Sequence, residues 1–185
     1  MHRMRKIVAG LFISLDGVVE APQDWHFPYF NDQMGEAVAA QADAADTMLF
    51  GRNTFEEFAG FWPQQGSDVP FADVINDTPK VLVSTTLKSV DWGPTTIIDH
   101  DVVESITALK DQPGRDISIT GSPTLVRTLL REGLLDELRL LVHPIVVGHG
   151  KKLFADEDQP IPLKLAESRT FQTGVQAMTY VPADR

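Results

Sequence analysis

Short apolar runs alternate with longer amphipathic stretches along most of the chain. Strand-length runs rich in β-branched and aliphatic residues occur at Ile7–Ile13, Thr47–Phe50, Lys80–Ser84, Thr95–Ile98 and Ile117–Thr120. The stretches between them have helical spacing and begin near Asp32, Asn53 or Thr54, Pro70, Asp101 and Ser122-Pro123. This alternation predicts parallel strands joined by helices.

The pattern changes after residue 137. Leu138–Val147, Leu163–Phe171 and Val175–Val181 are predicted strands, and Thr173-Gly174 is a hairpin turn between the last two. We therefore predict one α/β domain over residues 1–185, with a mixed, mostly parallel central sheet, helices on both faces and a C-terminal antiparallel hairpin.

Local signals refine two helix starts. Asn53 or Thr54 is predicted to cap the second helix, with Glu56 and Glu57 placed for a capping box. Ser122-Pro123 is predicted as the N-cap and first position of the last helix.

Two N-terminal segments have two interpretations each. Met1–Lys6 is basic and Ile7–Leu15 is apolar, as in a short signal peptide, but Asp16-Gly17 follows at once without a clear cleavage site, which favours a buried first strand. The aromatic stretch Trp25–Tyr29 is predicted as a loop, either a lid over a flat ring or a loop that pins itself with its own aromatic side chains.

Composition narrows the function. The chain has 185 residues, 16 Lys and Arg against 26 Asp and Glu, and a net charge of −10. Such a chain repels phosphate backbones and anionic lipid, so we expect no nucleic-acid or membrane partner. It contains no cysteine, which excludes disulfides and thiolate metal sites and is compatible with the cytoplasm. Its five histidines, including His2, lack metal-ligand spacing, and we expect no metal; the acidic run at 156–158 is predicted to be a solvated loop.

Candidate chemistry lies at three strand ends. Gly51-Arg52-Asn53-Thr54, Ser84-Thr85-Thr86 and Gly121-Ser122 each follow a predicted strand, and two of them open helices. The carboxyl ends of parallel strands share one sheet edge, where helix N-termini, an arginine and hydroxyls can bind phosphate. Taken singly, each glycine can be only a turn and each hydroxyl only a cap.

Motifs in these segments resemble the dihydrofolate-reductase-like family, in the branch related to the C-terminal reductase domain of the bifunctional riboflavin-biosynthesis deaminase/reductase. The resemblance runs from about Lys6 to Tyr180. It rests on Ser14-Leu15-Asp16-Gly17-Val18, on the three strand-end segments, on Gly133-Leu134-Leu135-Asp136-Glu137-Leu138, on His143-Pro144 and on Gly148-His149-Gly150-Lys151-Lys152-Leu153-Phe154.

The resemblance implies a three-layer fold of that family and a homodimeric, NADPH-dependent reductase of a small molecule. By that match Arg52 pairs with the 2′-phosphate, Thr54 with a phosphate oxygen, and Ser84 and Thr85 with groups beside the 2′-phosphate. Gly121 and Ser122 pass under the pyrophosphate and nicotinamide ribose, and Leu125 belongs to the same cofactor-binding segment. Many relatives have two glycines where this chain has Gly121-Ser122.

The substrate side is less defined. Glu36 on the first helix is a candidate proton donor by the same resemblance, although Glu36 and Asp32 also suit a helix start as acids that complement its dipole. Asp16 either faces the substrate cleft or caps its own turn. No arginine stands just before Lys80–Ser84 to bind a folate tail, and the missing cysteines exclude the deaminase zinc site.

Three functions remain open at this point. The first is an NADPH-dependent reductase of a pteridine- or pyrimidine-like compound. The second is the riboflavin-pathway reduction of a ribosylamino-pyrimidine phosphate, for which Lys151-Lys152 is the compact basic pair. The third is a non-catalytic nucleotide-binding or dimerisation protein.

Overall fold

A computed structural model describes residues 3–154, 156 and 159–183. Within these residues the strands are β1 (Ile7–Ser14), β2 (Ala45–Gly51), β3 (Lys80–Val83), β4 (Thr95–Ile98), β5 (Asp116–Thr120), β6 (Glu137–His143), β7 (Leu163–Thr170) and β8 (Gln176–Pro182). The helices are α1 (Asp32–Ala44), α2 (Arg52–Phe61), α3 (Ala72–Asp77), α4 (Val102–Asp111) and α5 (Pro123–Arg131). His2 and residues 157 and 158 of the predicted acidic loop lie outside the described residues.

All eight strands form one sheet in the order β4-β3-β2-β5-β1-β6-β8-β7. The pairs from β4 to β6 are parallel, whereas β8 runs antiparallel to both β6 and β7. The predicted fold class, a mostly parallel mixed sheet with a C-terminal hairpin, is confirmed.

The core lies on both faces of this sheet. Alternate residues of β1 point to opposite faces. Leu11 and Ile13 pack with Leu125 and Leu129 of α5 on one face, and Phe12 packs with Met34 of α1 on the other. A third cluster around Phe50, Phe55, Leu82 and Trp92 packs α2 against β2 and β3. No described helix combines the length and the run of apolar residues needed to cross a bilayer.

The predicted cap of α2 is wrong. The helix begins at Arg52, and Gly51 occupies the N-cap position without a side-chain cap. The Thr54 hydroxyl instead accepts a hydrogen bond from the backbone N–H of Ser122. Ser122 does stand at the N-cap of α5, but its hydroxyl accepts from the Gly51 N–H rather than from its own helix.

Strand β6 is shorter than predicted and ends at His143. Pro144 follows and has no N–H to continue the ladder. The chain beyond is held by the carboxylate of Asp16, which accepts hydrogen bonds from the backbone N–H groups of Val147 and Gly148.

Candidate functional site at the carboxyl edge of the sheet

The three strand ends named in the sequence converge in the structure. β3, β2 and β5 are adjacent and parallel, so their carboxyl ends lie side by side. The Gly51 N–H donates to Ser122 Oγ at 3.0 Å, and the Ser122 N–H donates to Thr54 Oγ1 at 2.9 Å. These two bonds join the start of α2 to the start of α5. We call the following residues the strand-end cluster: Gly51, Arg52, Thr54, Ser84, Thr86, Gly121 and Ser122.

The turn between β5 and α5 requires an unusual backbone. Gly121 has φ +65°, and a Cβ placed there would lie 3.1 Å from both Thr54 Cγ2 and Thr54 Oγ1. Ser122 has φ 53°, which is rare for a residue with a side chain. The glycine therefore permits the close approach of α2 to the end of β5.

Arg52 supplies an accessible cation to this cluster. Its Nη1 donates to Thr86 Oγ1 at 2.8 Å, and its Nε donates to Glu56 Oε1 at 3.2 Å. The Arg52 side chain is 48% exposed. Ser84 is buried beneath, and its hydroxyl accepts from the Leu87 N–H at 3.2 Å. The guanidinium thus stands at the surface over a layer of hydroxyls.

Two other predicted residues lie at the same edge in different settings. Thr85 is exposed between Ser84 and Thr86. Leu125 is buried in the core, and a Cβ placed on Gly51 would lie 3.8 Å from its Cβ. Leu125 therefore forms part of the apolar floor of the cluster.

Several positive groups lie along this edge despite the net negative charge of the chain. Both α2 and α5 begin there, and helix N-termini carry unpaired N–H groups and partial positive charge. Lys151 lies beside the first turn of α5, where its Nζ donates to Thr124 Oγ1 at 3.2 Å. A surface cavity of about 570 Å³ next to it is lined by Arg127, Lys151, Lys152, Phe154 and Asp156.

Asp16 is engaged by the protein itself. It accepts from Ser14 Oγ at 2.6 Å and from the backbone N–H groups of Val147 and Gly148 at 3.1 and 2.9 Å. These hydrogen bonds, led by that from Ser14, lower the pKa of Asp16 to about 2. Asp16 thus bonds within its own turn through Ser14 and also holds the 147–148 segment, and its role as a catalytic acid stays a prediction.

Glu36 lies exposed on α1, two residues after the buried Met34. Asp32 is the acid in the first turn of that helix, whose N-cap is Asn31 through a bond from the Met34 N–H at 3.0 Å. The role of Glu36 as a proton donor stays a prediction.

Aromatic rings fill the neighbouring end of the sheet, above β1 and β6. We call the following residues the aromatic cluster: Phe12, Trp25, His26, Phe27, Tyr29 and His143. The ring of His26 stacks on Phe12 with centroids 4.5 Å apart, and His143 lies 6.0 Å from His26. Burial lowers the pKa of both imidazoles, that of His26 to about 4 with a further contribution from His143.

Two residues of these clusters, Thr86 and His143, had no role predicted from the sequence. Thr86 is the hydroxyl that contacts Arg52, and its signal was present in the triplet after β3. His143 was named only in the motif His143-Pro144 and within the predicted strand Leu138–Val147. Its placement opposite Ser14 depends on the pairing of β6 with β1, which no local pattern encodes.

The RibD C-terminal domain family matches residues 5–177. The uncharacterized protein YyaP of Bacillus subtilis (strain 168) is 32% identical over 184 residues, covering 96% of this chain and 95% of its own.

Two solved structures share the fold. A putative riboflavin biosynthesis protein from Shewanella sp. PV-4 has a TM-score of 0.80 at 22% identity, covering 97% of this chain and 99% of its own. A dihydrofolate reductase from Enterococcus faecalis, complexed with NADP(H) and RAB-propyl, has a TM-score of 0.66 at 15% identity, with full coverage of both chains (100% and 100%). The match to residues 5–177 covers most of the sequence, and the chain belongs to the family of RibD C-terminal domains.

Proposed function

We propose that the chain is an NADPH-dependent reductase that transfers a hydride to a small pteridine- or pyrimidine-like compound. Membership of the RibD C-terminal domain family supports an oxidoreductase in general. The main support for NADPH as the cofactor is the strand-end cluster. There, two helix N-termini are hydrogen-bonded to one another beside an exposed guanidinium.

The residues present fit a phosphorylated dinucleotide. Arg52 can exchange its bond to Thr86 for a two-pronged contact with the 2′-phosphate, since a guanidinium matches the geometry of phosphate oxygens. Ser84 and Thr85 lie beside that position. The N-termini of α2 and α5 suit the pyrophosphate, with Thr54, Gly121 and Ser122 along its path.

When bound, NADPH supplies the hydride, and the chain positions it. Hydride transfer requires the nicotinamide and the acceptor to be held about 3–3.5 Å apart. The same proposal places the protein in the cytoplasm, where reduced dinucleotide is supplied.

The test is a titration of the purified protein with NADPH and NADH, followed by nicotinamide fluorescence. We expect tighter binding of NADPH. Arg52→Ala should weaken NADPH binding about 10- to 100-fold, the range for loss of a hydrogen-bonded charge contact, and leave NADH unchanged.

The matched control is Arg3→Ala, which removes an exposed arginine just before the amino end of β1, at the opposite edge of the sheet. It should leave both affinities unchanged. Equal affinities of the parent protein for NADPH and NADH would remove the assignment of Arg52.

The position of Lys151 favours a second candidate, reduction of a ribosylamino-pyrimidine phosphate. Its ammonium group contacts Thr124 at the start of α5, so the basic cavity opens beside the proposed cofactor edge. Under this function, Lys151→Ala should raise KM for the phosphorylated substrate and not for its dephosphorylated form.

The carboxylate of Asp16 is already hydrogen-bonded within the protein. This makes Asp16 a poorer candidate for a proton donor and supports the alternative of a non-catalytic nucleotide-binding protein. An assay of NADPH oxidation distinguishes the reductase from the non-catalytic protein. NADPH binding without oxidation across pterins, pyrimidinones and quinoid compounds would support a binding protein rather than an enzyme.

We propose that the protein is a homodimer. The residues of β7 after Leu163 are all exposed, and Leu165 and Ile161 are exposed apolar side chains of the C-terminal hairpin region. A second copy would cover this surface.

A further inference from the structure

His26 fills a slot between two aromatic rings. Its imidazole stacks on Phe12, with an interplanar angle of 17°, and Phe27 packs against it at 4.3 Å between centroids with a tilt of 39°. Phe30 makes an edge contact with it at 6.2 Å. Aromatic rings packed around one flat ring are the environment in which planar heterocycles bind.

The inner wall of this slot has an unused acceptor. His143 is fully buried, and its Nδ1 donates to the Leu141 carbonyl at 2.8 Å. The neutral ring therefore carries no proton on Nε2, which is buried and has no hydrogen-bond partner in the part of the chain that the structure describes. Nδ1 of His26, a residue 93% buried, also has no hydrogen-bond partner among the described residues. Buried polar atoms are normally paired, so this wall is built for a donor that the folded chain does not supply.

The segment that brings His26 into the slot is held to the sheet by side-chain packing, with Trp25 and Tyr29 against His143, while its backbone bonds only to itself. Among the described residues, the backbone hydrogen bonds donated within 21–30 all end on acceptors in the same segment. Phe27 is 64% exposed. Withdrawal of His26 and Phe27 therefore breaks no bond of the sheet or of α1.

The slot lies toward the same edge of the sheet as the strand-end cluster. His143 pairs with Ser14 at the end of β1, and β1 pairs with β5 through Gly10 and Thr120. Gly121 follows Thr120 directly. A ring in the slot therefore lies one or two strands from the turn that the proposed cofactor would cross.

We propose that this slot is the acceptor site, that His26 occupies it until a planar nitrogen heterocycle displaces the imidazole, and that His143 Nε2 then accepts a hydrogen bond from a ring N–H of that heterocycle. The assignment of the ligand as hydride acceptor rests on the proposed function; the slot itself does not. His143 is thereby a residue that selects for N–H donors.

Two probes test this in the full chain at pH 7: pteridine-2,4-dione, and its 1,3-dimethyl derivative, which keeps the flat ring and lacks the ring N–H donors. We expect the first to bind about tenfold more tightly, the typical contribution of one hydrogen bond. Nitrogen-15 spectra of the unmodified protein should show His143 Nε2 shifting with the first probe only. They should show His26 shifting with any probe that enters the slot.

Substitutions at His143 distinguish a role in selecting the ligand from a role in packing. His143→Phe should abolish the preference between the probes, and His143→Gln, which keeps an acceptor, should restore part of it. His100→Phe changes an exposed histidine elsewhere and should leave the preference intact.

Three results would overturn the slot: equal affinity for the two probes, binding of either probe without a shift at His26, or binding of pteridine-2,4-dione without a shift at His143 Nε2. NADPH titration of the same samples distinguishes the two proposals. Normal NADPH binding without probe binding defeats the slot alone, and probe binding without NADPH binding defeats the reductase alone.

Discussion

Ser122 shows how a single residue holds the strand-end cluster together. Its N–H donates to Thr54 and its hydroxyl accepts from Gly51, while its own backbone is in the left-handed region. Both bonds span about 70 positions of sequence. The residue thus fixes the spacing of two helix starts at the expense of local strain.

Substitutions at Ser122 should separate these two effects. Ser122→Ala keeps the strain and leaves the Gly51 N–H without its acceptor, so we expect a loss of about 1–3 kcal/mol in the free energy of unfolding. Ser122→Gly loses the same bond but relieves about 1 kcal/mol of strain, so it should be the more stable of the two variants. Urea denaturation measures both.

Ser105→Ala is the control, because the hydroxyl of this half-buried serine makes only a long bond of 3.4 Å to the His100 carbonyl. Ser105→Ala should leave the free energy of unfolding nearly unchanged. A Ser122→Gly protein less stable than Ser122→Ala would show that the positive φ carries no strain.

At the scale of elements, the C-terminal hairpin is anchored at its turn and open along its length. Phe171 and Val175 pack beside Met34 of α1, whereas β7 beyond Leu163 is exposed. An edge strand exposed in this way presents unpaired backbone groups and apolar side chains to another chain.

If a second copy covers the hairpin, Leu165→Lys should dissociate the dimer, because it places a charge in the buried contact. Sedimentation velocity should show a shift from dimer to monomer at micromolar concentration. Val74→Lys, an equally exposed apolar side chain on α3, should remain dimeric. A monomeric parent protein would contradict the proposal.

The elements themselves were predictable, whereas their ends were less so. Apolar runs such as Ile117–Thr120 differ from the observed strand by one residue, because burial on both faces leaves a continuous signal. The cap of α2 was wrong because Thr54 bonds to a residue 68 positions away. A hydroxyl near a helix start looks the same in sequence whether it serves its own helix or another.

At the scale of the whole molecule, the site depends on strand order. Gly51, Ser84 and Gly121 were placed at one edge from sequence because parallel strands share a direction, and the structure brings them together. His143 was not placed, since its contact with Phe12 and Trp25 needs the pairing of β1 with β6 across 129 positions. Nonlocal pairing of this kind leaves no periodic signal.

The buried histidines make stability of the whole fold depend on pH. The folded pKa of His26 is about 4, below its ordinary 6.5, so the unfolded chain binds the proton first as pH falls. The contribution of neutral His26 to the free energy of unfolding is therefore fully present above pH 6.5 and declines toward pH 4. Linkage gives a loss of roughly 2 kcal/mol in the free energy of unfolding between pH 7.5 and 5.

Urea titrations at these two pH values measure the loss. His26→Phe should remove the part due to His26 and leave that of the buried His143, because phenylalanine keeps the stacking and cannot be protonated. His100→Phe should keep it, since that imidazole is exposed and its pKa is raised by the adjacent Asp99. A pH-independent parent protein would contradict the burial of a neutral His26.

The self-contained bonding of residues 21–30 also bears on how such proteins diverge. A segment that shares no ladder bond with the scaffold can change its length and composition while the remainder of the molecule folds as before. If the proposed function holds, transplanting the corresponding stretch from another member of the family should change which compounds bind and leave NADPH binding unchanged, so that these ten positions would be a site for exchanging specificity.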